Sequence, residues 1–242
     1  MLNYSFTISY DGSCFSGWQI QPDRRTVQGE IEKCLTQLFD IPVTITGAGR
    51  TDAGVHAMAQ VANTKLPDRF ECEDLRYRMN RMLAADIAIK GISVVADGFS
   101  ARFSAKSKVY EYRIIFSKEP IARNFTLQLD YKPDIVKLNE LAGCILGIHD
   151  FSPFAVKKSI PDNPKCEIFG AVWSEREGLF QFSIEGNRFL HQMVRALVGA
   201  MIDCERGRFP DKIFAEMIDI GEKLAAFKVA PPHALFMHEV KY

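Results

Sequence analysis

Asp52 sits between Arg50 and His56 in the segment Gly47-Ala-Gly-Arg-Thr-Asp-Ala-Gly-Val-His56. A carboxylate there can act as a nucleophile or a general base, and an arginine two residues earlier can clamp a phosphate. The segment is not a nucleotide loop. Gly47-x-Gly49 is followed by Asp52 where a dinucleotide fingerprint needs its third glycine, and no Lys-Ser/Thr follows for a P-loop. The residues alone leave two readings open. In one, Asp52 makes an Asx turn and the glycines supply positive φ. In the other, the glycines thin the backbone so that a large substrate can approach Asp52. His56 reads first as a structural histidine. None of His56, His149, His191, His233 and His238 has metal-ligand spacing, so no metal is expected.

Such a loop needs rigid elements on both sides. Residues 3–10 alternate apolar and polar and predict a strand. Val27, Ile31, Leu35 and Leu38 recur at helical spacing behind Thr26, a natural N-cap. Residues 41–46 are β-branched and bounded by Pro and Gly, which predicts a strand before the loop, and 55–63 predict one after it. A helix through Leu75, Met79, Met82 and Leu83 and a strand over 87–95 follow. Strands are then expected over 109–116 and 125–131, a helix through Ile135–Ile145, and a hairpin of 168–174 with 179–184 around Glu177-Gly178. The most apolar helix is expected over Phe189–Cys204, ending at Arg206-Gly207, with a short helix after Pro210 and a closing strand over 238–242.

Hairpins with interspersed helices, not strict βαβ alternation, predict an α+β class. The expected architecture is two similar subdomains with mostly antiparallel mixed sheets flanked by helices and an active-site cleft between them. Residues 1–104 would carry the Asp52 loop, and residues 105–242 would complete the cleft.

The chain has 242 residues, 30 basic against 30 acidic, 47% hydrophobic and 25% charged. That is ordinary globular composition, which excludes disorder, collagen and coiled coil. Zero net charge excludes a nucleic-acid binder that works by bulk charge alone. Cys14, Cys34, Cys72, Cys144, Cys166 and Cys204 form no CxxC and read as free thiols. The alternating N-terminus reads as a strand, not a signal peptide, and no apolar run reaches the roughly 18 residues that span a bilayer. A cytoplasmic protein with no membrane partner is expected.

Gly49-Arg-Thr-Asp-Ala-Gly-Val-His-Ala57 resembles the signature loop of the TruA-type tRNA pseudouridine synthases. Collinear blocks extend the resemblance: Ser9-Tyr-Asp-Gly-Ser13, Phe15-Ser-Gly-Trp-Gln19 and Thr26-Val-Gln28; Ala101-Arg-Phe-Ser-Ala105 leading into Tyr110-Glu-Tyr112; His149-Asp-Phe151; and Phe189-Leu-His-Gln-Met-Val-Arg195. The resemblance implies isomerisation of uridine to pseudouridine in the anticodon stem-loop of tRNA, at tRNA positions 38 to 40, with no cofactor and by a homodimer. It places Asp52 on the catalytic aspartate and Tyr110 on the active-site tyrosine. It also makes Arg195 the candidate cation that keeps the aspartate charged, since desolvation alone would raise a carboxylate pKa. Without the resemblance, Tyr110 reads as a packed strand tyrosine and Arg195 as a helix-surface arginine.

The tRNA contacts expected are Arg50, Arg24, Arg25, Arg102, Lys106 and Lys108, with Arg113 beside them. Arg76, Arg78 and Arg81 read equally well as a solvated helix face. Phe15 and Trp18 are expected in the core. Two positions depart from the family pattern: Ala234 stands where Gly is usual, and Cys166 stands where an arginine usually precedes a strand. A non-catalytic RNA-binding module is the competing class. A hydrolytic glycosidase would need a second paired acid, which the sequence does not supply.

Overall fold

The computed structural model describes Met1–Tyr242. β1 (Leu2–Tyr10) buries Tyr4, Phe6, Ile8 and Tyr10 on one face, as the period-two pattern requires. α1 (Val27–Phe39) begins where the Thr26 hydroxyl accepts the Gly29 N–H. The strand expected over 41–46 shrinks to β2 (Thr46–Gly47). Pro42 has no N–H to give. The N–H groups of Val43 and Ile45 go to side chains instead, Thr36 Oγ1 at 3.2 Å and Glu32 Oε1 at 2.9 Å. β3 (His56–Leu66), α2 (Cys72–Met82) and β4 (Ile87–Val95) follow as read.

β5 (Ser107–Ile115) precedes β6 (Leu127–Gln128), which is far shorter than the strand expected over 125–131. Phe125 N–H and Thr126 Oγ1 both turn back onto Ala122 O, at 2.8 and 2.9 Å, so the chain there is a turn. α3 (Ile135–Gly143) is capped by Asp134. β7 (Gly147–Asp150) pairs with β8 (Lys165–Arg176), which forms the expected hairpin with β9 (Leu179–Gly186). Glu177 and Gly178 take φ 53° and 78°, the left-handed pair a tight hairpin turn demands. α4 (Met193–Glu205) starts later than its apolar pattern, because Gln192 at φ 65° interrupts the helix. Gly207 at φ 74° lies just past its end. α5 (Asp211–Ile220) follows Pro210, and β10 (Leu235–Lys241) ends the chain.

The chain divides into two units. Met1–Lys106 with Phe236–Tyr242 holds the strand order β4-β1-β3-β10, antiparallel except that β10 runs parallel to β3 with Phe236 opposite His56. Its core gathers Phe6, Ile8, Ile31, Leu35, Leu75 and Met79. Ser107–Leu235 holds β5-β9-β8-β7, all antiparallel, with β6 parallel to β5. Phe182, Leu138, Leu197, Met201 and Phe214 fill its core. The class is α+β with mostly antiparallel mixed sheets. Residues 236–242 go with the first unit, whereas the sequence grouped them with 105–242; their pattern marks a strand but cannot name its partner. No helix is long and apolar enough to cross a membrane.

Candidate active site

Asp52 is half-buried in the stretch between β2 and β3. Its own carbonyl accepts the Val55 N–H at 3.1 Å, and Gly54 at φ 79° supplies the left-handed third position of that turn. The segment Phe15–Trp18 clamps the same stretch. Trp18 N–H donates to Thr51 O at 3.1 Å, and Gly54 N–H to Phe15 O at 3.4 Å. Tyr10 and Thr51 share a buried hydroxyl bond of 2.8 Å. Gln60 Nε2 donates to Gly49 O at 2.8 Å.

Glycine makes this backbone-on-backbone packing possible. A Cβ on Gly17, itself at φ 95°, would come within 2.7 Å of Thr51 O, and one on Gly12 within 2.0 Å of Val55 O. Gly47 faces the Trp18 indole, which a Cβ would meet at 2.6 Å. So Gly47 is thin for the protein's own tryptophan and not for a substrate. Phe15 and Trp18 lie in the core as expected. His56 is buried, stacks on Phe236 at 4.7 Å and takes the Gly12 N–H on Nδ1 at 3.0 Å. The Asp11 carboxylate lies 3.1 Å from the same nitrogen. This is the structural role expected of it.

The first unit carries Arg50, Arg24, Arg25, Arg102 and Lys106 alongside Asp52. Arg50, Arg24, Arg102 and Lys106 are exposed. Arg25 is committed: it forms a two-pronged bond with Asp86 at 2.6 and 2.9 Å and lies 4.1 Å over the Phe15 ring. Its guanidinium holds the Asp86 carboxyl below the usual range against the opposing effect of burial. Arg76 and Arg78 pair with Glu73 and Asp74 on α2 itself, at 2.6 and 2.9 Å, which favours the solvated-face reading of that helix.

Tyr110, Lys108 and Arg195 belong to the second unit. Tyr110 is a buried β5 residue opposite Ile184, edge-on to Phe189 at 5.1 Å. Lys108, also buried, shares its face of the strand. Arg195 stands half-buried on α4. Its Nε donates to Ala230 O at 2.8 Å, while its carbonyl accepts the Ala230 N–H at 3.1 Å. That reciprocal bond fixes the plane of the guanidinium. Burial raises the phenol pKa of Tyr112, two residues from Tyr110 on the same face, and the Arg195 charge works against that rise.

The sequence did not reveal what holds Arg195. Gly199, one turn on, has no space for a side chain, since a Cβ would meet Lys228 O at 1.8 Å. Asp203, one turn further, is buried and accepts the Lys228 N–H at 2.9 Å while pairing with Arg208 at 2.8 Å. Tyr112 Oη donates to Pro231 O at 3.0 Å. Arg, Gly and Asp at four-residue intervals thus hold residues 228–230 along one face of α4. The spacing was readable; the irregular segment it grips was not.

Of the two departures, Ala234 is fully buried and is not among the residues with positive φ, so nothing there demands glycine. Around Cys166, Arg188 donates to Lys165 O at 3.2 and 2.9 Å and to Asn163 O, holding the carbonyls that lead into β8.

A family model described as tRNA pseudouridine synthase matches residues 7–104 and 142–242. Asp52 and Arg195 fall inside the matched segments, and Tyr110 falls between them. The tRNA pseudouridine synthase A of Chlorobaculum tepidum is 40% identical over 238 residues, covering 97% of this chain and 96% of that one. That of Bacillus subtilis is 36% identical over 241 residues, covering 98% and 97%. That of Streptococcus thermophilus is 36% identical over 247 residues, covering both chains in full. With the match spanning both units, from the Asp52 loop to β10, this chain belongs to the tRNA pseudouridine synthase family.

Proposed function

We propose that this protein isomerises uridine to pseudouridine in tRNA, acting on the anticodon stem-loop at tRNA positions 38 to 40. The family membership carries the reaction, and the clamped loop that presents Asp52 supports its role. The chemistry must break the N1–C1′ bond, turn the uracil and join C5 to C1′. In one route the Asp52 carboxylate attacks C1′ and the N1–C1′ electron pair leaves with the uracil. The turned base then attacks C1′ through C5, expels the carboxylate and loses its C5 proton. In the other, Asp52 takes a proton from C2′ as the N1–C1′ electron pair leaves with the uracil, giving a C1′=C2′ glycal. C5 of the turned uracil then adds at C1′ while Asp52 returns the proton to C2′, and C5 loses its proton. Both need the charged carboxylate, which is the task assigned to Arg195. Tyr110 serves as the ring against the uracil and the relay for the C5 proton. A uridine stacked in an A-form stem is out of reach, so the base must flip, and Arg50 occupies or clamps the gap it leaves. The exposed Arg24, Arg102 and Lys106 serve the tRNA backbone, whereas Arg25, held by Asp86, and the buried Lys108 support the elements that carry them.

Tritium release from C5-labelled uridine in unmodified tRNA tests the reading. The wild-type protein releases tritium, and Asp52→Ala lowers the rate by about a thousandfold or more. No release by the wild type, or undiminished release by the variant, overturns it. The protein is further assigned to the cytoplasm and to a homodimer, so sedimentation equilibrium should give twice the 27.3 kDa chain mass. A mass of one chain would refute the dimer.

A further inference from the structure

We propose that Phe103, with Arg102, is a stacking platform for an unstacked base of the tRNA substrate. Phe103 is 80% exposed, on the turn between β4 and β5, and the Arg102 guanidinium lies 5.1 Å over its ring. An apolar ring left in water is unfavourable, and the turn is well able to hide such groups. Ala101 is fully buried, and Phe99 packs against Tyr242 at 4.9 Å. Nor does looseness expose the ring. Asn3 Nδ2 donates to Ala96 O and Phe99 O at 3.0 and 2.9 Å, and Asn63 Oδ1 accepts the Ala101 N–H at 2.8 Å. Ser104 N–H donates to Ser100 O at 2.9 Å, and Tyr242 Oη to Ala101 O at 2.8 Å. A rigid pedestal therefore holds one aromatic face and one cation toward solvent, with Lys106 exposed beside them.

An aromatic ring, a guanidinium and basic neighbours are what an unpaired nucleobase and its phosphate recognise. Bases inside an A-form helix are already stacked, so the occupant is a loop or splayed-out base. This rests on the tRNA reading above.

The test pairs Phe103→Ala with Phe103→Trp. Unmodified tRNA binds Phe103→Ala about 5- to 100-fold more weakly than wild type, with the loss falling in Kd and KM. The slope of log Kd against log salt does not change, whereas Arg102→Ala flattens it by about one. Trp18 and Trp173 are each only 2% exposed, so the indole introduced by Phe103→Trp is the accessible one. Its fluorescence is quenched, and shielded from acrylamide, when tRNA saturates the protein. Circular dichroism shows both variants folded, since the ring is 80% exposed. Unchanged Kd and KM for Phe103→Ala in a wild-type background that makes pseudouridine, or unquenched indole at saturating tRNA, overturns the platform alone. A wild-type protein that neither binds nor isomerises tRNA overturns the underlying reading and the platform with it.

Discussion

Asp52 and Arg195 are held in place by opposite means. Around Asp52 the main chain is fixed by other main chain: Trp18 N–H on Thr51 O, Gly54 N–H on Phe15 O, and Gly17 and Gly12 pressed against the loop. Around Arg195 the side chains of one helix face do the holding, with Arg195 and Asp203 gripping residues 228–230 across Gly199. The first arrangement is almost independent of ionisation and sets where a backbone lies. The second uses charge-assisted bonds and sets how a guanidinium is turned. Each suits its residue: a short carboxylate goes where its Cα goes, whereas a long arginine needs its terminus oriented.

Both arrangements converge on glycine, and that gives the largest effect. Gly199→Ala would drive a methyl to 1.8 Å from Lys228 O, and Gly12→Ala to 2.0 Å from Val55 O. In each the obstacle is backbone, which cannot swing aside. Each variant should lose roughly 3 kcal/mol or more in urea unfolding, at the upper end of overpacking costs. Gly91, with open space around it, is the control, and Gly91→Ala should change stability by at most about 1 kcal/mol. If Gly12→Ala and Gly199→Ala were as mild as Gly91→Ala, neither clamp would be as rigid as its geometry states.

This contrast also marks how far the sequence could be read. Period-two and helical patterns located β1, α1, β3 and the β8–β9 hairpin, because burial on one face repeats at the backbone's own period. The loop of Asp52 was legible as a cluster of glycines, yet the purpose of Gly47 was not, since its partner Trp18 lies far away in sequence. The strand expected over 41–46 failed for a related reason. Its pattern was right, but Glu32 and Thr36 on α1 took the N–H groups a neighbouring strand would need. The grip of Asp203 on Lys228 and the pairing of β10 with β3 were invisible for the same cause. Pattern reports which face is buried and says nothing about which distant segment buries it.

The smallest expected effect probes a charged brace of the Asp52 clamp. Arg25 grips Asp86 at 2.6 Å, Asp86 O accepts the Asp11 N–H at 3.0 Å, and Arg25 O accepts the Ser16 N–H at 2.9 Å, so this pair anchors both ends of the segment that folds over the loop. The guanidinium holds the folded-state pKa of Asp86 below its unfolded value. The stabilisation is therefore complete above the unfolded value of about 4 and is lost as pH falls through the lower, folded one. Both side chains are partly solvated, at 34% and 25% exposure, so Asp86→Asn should cost no more than about 1 kcal/mol at pH 7. Melting temperatures of wild type and variant should differ at pH 7 and converge as pH is lowered through 4 toward 3, while Gly12→Ala, whose defect is steric, keeps its full deficit across the same range. A gap for Asp86→Asn that stayed constant with pH would mean that this brace acts by shape and not by charge.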